Sequence, residues 1–240
     1  MKYILDVHCH SIASGHAYST ITENINYAKN IGLKLIAITD HAPKMPGSCT
    51  NLHFLNLNVL PKKVDNLEIL TGVELNILDI NGKIDLPDTI LKSLDLRIAS
   101  LHPPCIPPSD NIDDNTKAVI NTMKNPLVNI IGHLGDPRYP INIDKIVKAS
   151  LETNTLIEIN NSSLSPNNTR SGGKDTILEI LNVCKKLNTP IILGSDAHYH
   201  TYIGNFDNII PLLNKCNFPE ELIVNTSVEK FKNLCLIKKN

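Results

Sequence analysis

Tyr3-Ile4-Leu5-Asp6-Val7-His8-Cys9-His10 is a short apolar run that ends on two histidines. A run of this length, rich in aliphatic side chains, reads as a buried strand. Six more follow: Leu35–Thr39, Ile69–Val73, Leu96–Ala99, Val128–Ile131, Leu156–Ile159 and Ile191–Gly194. Their ends recur every 26 to 35 residues, the length of one strand plus one crossover helix (about 30 residues). Helices are predicted between them over Thr22–Ile31, stopped by Gly32, over Asn142–Thr153, and over Lys174–Leu187. The last two place Ile143, Ile146, Val147 and Leu151, and Ile177, Leu178, Leu181 and Cys184, on single faces. Repeated βα units give a parallel sheet, and seven of them predict an α/β fold of the distorted (β/α)7 TIM-like barrel type. No linker or low-complexity stretch divides residues 1–240, so one domain is expected. Segments 43–62 and 103–113 are predicted to be long irregular loops, each following a strand's C-terminal end.

The bulk composition excludes several function classes. A formal charge of −1 offers no electrostatic grip on nucleic acid or an anionic membrane. Six scattered cysteines without a Cys-x-x-Cys pair suit a reducing compartment. No apolar run approaches the ~18 residues of a membrane span, and residues 1–8 turn polar too early for a secretory signal. A cytoplasmic, soluble protein is expected.

Histidine and acidic residues cluster where the strands end: Asp6, His8 and His10, Asp40 and His41, Glu74, His102, His133, Asp196 and His198, with His16 nearby. In a barrel these ends converge on one mouth, so residues distant in sequence become neighbours. His8 and His10 are two apart on an extended segment and share a face, whereas Cys9 points away and packs. A lone histidine after an apolar run is more often a hydrogen-bonded core residue. Seven of the nine histidines at such positions, interleaved with carboxylates, instead point to a metal centre of more than one ion. Glu74, at a buried strand's exit, could bridge two cations, and Gly194 lets backbone approach a crowded centre.

The runs Asp6-Val7-His8-Cys9-His10, Ala37-Ile38-Thr39-Asp40-His41, Gly72-Val73-Glu74, Ser100-Leu101-His102, Ile131-Gly132-His133 and Gly194-Ser195-Asp196-Ala197-His198 resemble, in order, the motifs of the PHP (polymerase and histidinol phosphatase) superfamily of metal-dependent phosphoesterases. His16-Ala17-Tyr18-Ser19-Thr20, His53-Phe54 and Glu158-Ile159-Asn160-Asn161-Ser162-Ser163 are similar to its small stand-alone phosphatases of the YcdX type. The resemblance runs essentially end to end. It implies three metal positions, usually zinc, with manganese or iron as alternatives, at the C-terminal strand ends. By analogy His8, His10, Glu74 and Asp196 hold the first ion, Glu74 bridges to a second held by His102 and His133, and His16, His41 and His198 hold the third. The chain departs from the family in having Ala197 where a serine is frequent, and in the Pro103-Pro104 pair after His102.

The implied activity is that of a metal-dependent phosphoric monoester hydrolase acting on a small phosphorylated substrate. A hydroxide shared by two cations ~3.5–4 Å apart would attack phosphorus in line. Glu74 and Asp196 belong to this machinery. Arg170 would take two phosphate oxygens, near the N-terminus of the following helix; Lys174 is a weaker candidate. Asp6 and Asp40 either orient ligand imidazoles or serve turns. His53 and His200 are not assigned to metal, and Tyr18 either touches substrate or packs. Histidinol-phosphate hydrolysis, polymerase-associated phosphodiester or exonuclease chemistry, and a non-catalytic metal scaffold are the alternatives. No basic stripe with interleaved aromatics supports a nucleic-acid partner.

Overall fold

The structure, a computed structural model, describes residues 2–166, 170 and 172–236. Each of the seven apolar runs carries a strand: β1 (Leu5–Asp6), β2 (Leu35–Ile38), β4 (Leu67–Asn76), β5 (Leu96–Ser100), β6 (Ile130–Ile131), β7 (Leu156–Asn160) and β8 (Ile191–Gly194). They lie parallel in chain order, for example with Leu35 beside Glu68, Glu74 beside Ile98 and Glu158 beside Ile192. Helices occupy the crossovers: α1 (Ile21–Asn30), α2 (Asn51–Asn56), α3 (Asp88–Leu91), α4 (Ile112–Met123), α5 (Ile143–Thr153) and α6 (Lys174–Lys186). The result is a nearly closed seven-stranded barrel wrapped by helices, as the strand rhythm predicts. Among the described residues no helix is long and apolar enough to cross a membrane.

Local chemistry sets the helix starts. Thr20 accepts from the Glu23 N–H while the Glu23 carboxylate accepts from the Thr20 N–H, a reciprocal cap that opens α1. Asn111 and Asn142 cap α4 and α5 in the simpler one-way manner. Segment 43–62 departs from its expected irregularity, because α2 forms within it around the buried Phe54. Two turns are too short to display a helical period in sequence. The added strand β3 (Lys63–Val64) runs antiparallel to the start of β4 and is equally short.

Seven strands leave a seam between β8 and β1, bridged both at the mouth and near the base. At the mouth, His10 N–H donates to the Ala197 carbonyl at 2.9 Å, making a single bridge between Cys9 and Ala197. Nearer the base, fully buried Asn225 stands in for the missing ladder. Its Oδ1 accepts from Leu193 N–H at 2.7 Å, and its Nδ2 donates to the carbonyls of Leu193 at 2.8 Å and Leu5 at 3.1 Å. Its own carbonyl accepts from Ile4 N–H at 2.9 Å. Below this, Leu5, Leu35, Leu96, Ile130, Leu156 and Ile192 pack with Val224, Phe231 and Cys235, so the C-terminal turns plug the barrel's lower end. Polar side chains are left to the other end.

Candidate metal centre

Every residue expected at the metal centre lies at that upper mouth, grouped around the fully buried Glu74 at the end of β4. The Glu74 Oε2 atom lies 3.4 Å from His8 Nε2, 3.5 Å from His10 Nε2 and 2.7 Å from His41 Nδ1. Its Oε1 atom lies 3.2 Å from His102 Nε2 and 2.9 Å from His133 Nε2. Asp196 Oδ1 adds a second carboxylate 3.2 Å from His10 Nε2. His16 and His198 complete the set at the outer edge, their Nε2 atoms 3.1 Å apart. His133 and Asp196 both have left-handed backbone (φ 30° and 55°), a costly conformation concentrated at functional positions.

A second ring of side chains fixes which nitrogen three of the imidazoles present. His8 Nδ1–H donates to Glu158 Oε1 at 2.6 Å, and His102 Nδ1–H donates to Asn76 Oδ1 at 2.7 Å. Ser14 Oγ accepts from His10 Nδ1–H at 3.0 Å and donates to Asp40 at 2.7 Å. The inner atoms are turned towards one another. His8 Nε2, His10 Nε2, His41 Nδ1 and Glu74 Oε2 are buried and lack a well-aligned hydrogen bond, although Glu74 Oε2 lies close to all three nitrogens. A single orphan of this kind costs about 1–3 kcal/mol, and four aimed at one spot suit a cation. Three sets of donor atoms lie close enough to share an ion: His8, His10 and Glu74; His41, Glu74 and His102; and His10, His41 and His198. The residues therefore fit a bound metal.

The electrostatics agree with that fit. Burial alone would raise the Glu74 carboxyl, but His8, His102 and His41 outweigh it and hold the group well below the usual carboxylate range. Burial likewise opposes ionisation of Asp196, and the neighbouring Arg170 and His8 more than compensate. His10 and His16 are lowered too, by burial and then by adjacent imidazoles, His16 to about 4, which keeps both rings neutral. Ionised carboxylates and neutral imidazoles are the forms that ligate metal. His8 departs from this pattern: its burial opposes the charge, but Glu158, Glu74 and Asp196 raise it well above the ordinary imidazole range, so a bound cation would take the place of that proton.

The structure also settles the residues left open by sequence. Asp6 does not touch an imidazole: it accepts from Ser195 N–H at 3.3 Å and Gly204 N–H at 2.7 Å, tying β1 to the loop after β8. Asp40 acts on His10 through Ser14, and His53 Nε2 lies 3.1 Å from Asp40. Burial would raise Asp40, but its contacts with His53, His10 and Ser11 hold it at about 2. His200 pairs with Ser19, and Tyr18 is exposed. Cys9 packs beside Ile25, Ala28 and Ile38, away from the centre. Lys174 is exposed, whereas Arg170 reaches the mouth and donates to Asp196 Oδ2 at 2.5 Å. Asn167, Asn168, Thr169 and Ser171 of that loop lie outside the described residues.

Glu158 is, with Ser14 and Asn76, a candidate whose place at the centre the motifs do not disclose. Besides His8, its carboxylate accepts from His133 N–H at 2.9 Å and Asn160 Nδ2 at 3.0 Å. Glycines on both flanking strands make room for it: a Cβ on Gly194 would overlap Glu158 Oε1, and one on Gly132 would meet Ser100 and Glu158 Oε2. The available signal was a lone carboxylate inside the apolar run Leu156-Ile157-Glu158-Ile159.

Over the centre opens a cavity of about 850 Å³. Met45, Pro46, Leu101, Pro103 and Pro104 supply an apolar side, and Asn161, Ser162, Ser165, Tyr202, Asn205 and Asn208 supply hydroxyls and amides. Arg138, Asp136 and Arg170 also line it.

A barrel with this donor set at its mouth defines a family, and residues 6–238 match the PHP domain; the chain belongs to that family. A probable phosphatase of Clostridium novyi (strain NT) is 50% identical over 230 residues, which cover 96% of this chain and 93% of the relative. Another, of Thermoanaerobacter sp. (strain X514), is 49% identical over 239 residues, 100% of this chain and 97% of the relative. Among solved structures, the histidinol phosphate phosphatase of Lactococcus lactis subsp. lactis Il1403, complexed with zinc, L-histidinol and phosphate, matches in fold. The TM-score is 0.63 at 20% identity, over 90% of this chain and 95% of that one.

Proposed function

We propose that this protein is a metal-dependent phosphatase that hydrolyses a small phosphomonoester, with His8, His10, His16, His41, Glu74, His102, His133, Asp196 and His198 holding three ions. The observation that carries the reading is the set of four buried donor atoms, without well-aligned hydrogen bonds, converging beneath an open cavity. Membership of the PHP family and near-full-length similarity to proteins named as probable phosphatases support it. Imidazoles with two carboxylates suit zinc first, with manganese or iron accepting the same donors. When bound, the ions supply positive charge to the phosphate oxygens and lower the pKa of the attacking water.

The protein's own groups do the rest. Glu158, Ser14 and Asn76 hold three imidazoles in the donor tautomer. Arg170, at the cavity wall beside Asp196, takes non-bridging phosphate oxygens and orients the ester for in-line displacement. The prolines after His102 form part of the wall that keeps bulk water from one side of the substrate.

Zinc-loaded protein is expected to hydrolyse a chromogenic phosphate monoester at least a hundredfold faster than the matching diester, as read by release of the chromophore. A diester preference would overturn the monoesterase assignment. Glu158→Gln keeps the size of the side chain but weakens its grip on His8. Metal affinity should fall roughly 10–100-fold, measured by competition with a chromophoric chelator, with the circular dichroism spectrum unchanged. Unaltered affinity would show that Glu158 does not position His8.

A further inference from the structure

We infer that the cavity selects phosphomonoesters whose organic part is polyhydroxylated and carries no ammonium group, a sugar-phosphate class rather than an amino-alcohol phosphate class. The inference rests on the phosphatase reading above. Among the described residues the cavity wall contains three carboxylates, Glu74, Asp136 and Asp196. The strongest recognition of a substrate ammonium comes from a carboxylate that can turn to it, and each of these is already committed.

Glu74 faces five imidazoles at the floor of the cavity. Asp196 is held by Arg170 at 2.5 Å and by His10 at 3.2 Å. Asp136 is closed off by Arg138, whose Nε and Nη2 donate to its two oxygens at 2.9 and 2.7 Å. Planar two-point pairing of this kind is among the strongest side-chain contacts, and an entering ammonium would have to break it.

The remaining wall is suited to hydroxyl groups. Asn205, Ser165 and Tyr202 offer neutral donors and acceptors in the cavity that also carries the apolar ledge of Met45, Pro46 and the two prolines. A ring can lay one face on that ledge and turn its hydroxyls to the amides, the usual division of labour in a small-molecule pocket. A volume of about 850 Å³ leaves ample space for such a group beyond the phosphate.

Glucose 6-phosphate and glucosamine 6-phosphate differ by one hydroxyl exchanged for an ammonium, and so test the inference directly. Each is measured by kcat/KM where it is turned over, and otherwise by Ki against the chromogenic monoester. The hydroxyl compound is expected to win by tenfold or more. The variant Asn205→Asp places a carboxylate on the wall. Its fold should hold, because Asn205 Oδ1 accepts from Asp207 N–H at 2.9 Å and a carboxylate oxygen can do the same. It should shift the ratio towards the amino compound by about tenfold. Preference of the native protein for glucosamine 6-phosphate, or an unmoved ratio in Asn205→Asp, would overturn the inference. Failure of the phosphatase reading itself looks different: no monoester is hydrolysed, and calorimetric Kd values for the same pair on zinc-loaded protein then decide the cavity's preference.

Discussion

Glu74→Ala is expected to keep the barrel and lose both bound metal and phosphatase turnover, the latter by roughly 10³-fold or more, equivalent to about 4 kcal/mol of barrier. The size of the effect follows from position. Glu74 is the carboxylate within 3.5 Å of His8, His10, His41, His102 and His133. Removing it deprives at least two of the possible ion positions of their shared negative donor and leaves imidazoles facing one another. The apolar plug at the lower end of the barrel involves none of these atoms, so the far-ultraviolet spectrum should hold. Elemental analysis after gel filtration, with turnover of a chromogenic monoester, checks both parts. A variant with full metal content and undiminished turnover would refute the shared-carboxylate arrangement.

Asn225→Leu is expected to destabilise the fold by about 3–5 kcal/mol, the largest effect outside the metal centre. Leucine is similar in size but neither donates nor accepts. The Leu193 N–H loses its acceptor, and the Leu5 and Leu193 carbonyls lose the amide that joins them. These groups sit in a seam that water does not reach, so each loss carries a desolvation cost as well as a missing bond. For a chain of this size such a change corresponds to a fall in Tm of roughly 6–20 °C. Thermal and denaturant unfolding followed by circular dichroism measure it. A Tm within a degree of the native protein's would mean that Asn225 does not secure the seam.

Much of the architecture is legible in the chain because a parallel strand buried on both faces is written as a run of aliphatic residues. Hence Leu35–Thr39 and Ile191–Gly194 could be located to within a residue. The candidate ligands are legible for a related reason: a histidine directly after such a run has nowhere to go but the mouth. What escapes the sequence is whatever depends on which groups meet in space. Asn225 follows Ile223-Val224 in a turn without periodicity, and its task exists only because the first and last strands come together. Asp6 stands beside a candidate ligand, where an imidazole partner and turn duty are equally open in the sequence, and the Ser195 and Gly204 amides claim it. Asp40 reaches His10 only through Ser14, a link that spacing along the chain cannot disclose. The helix α2 and the strand β3 are too short for any period to show.

The seam has a further consequence, for the order of events during synthesis. His8 and His10 leave the ribosome well before Asp196 and His198, which emerge only after six further barrel strands. The donor set is therefore incomplete on any nascent chain that lacks β8, however much of the sheet has formed. An ion taken up at the mouth would act as a clasp across the opening where the backbone ladder is thinnest, and its capture would mark the moment at which the ring first closes.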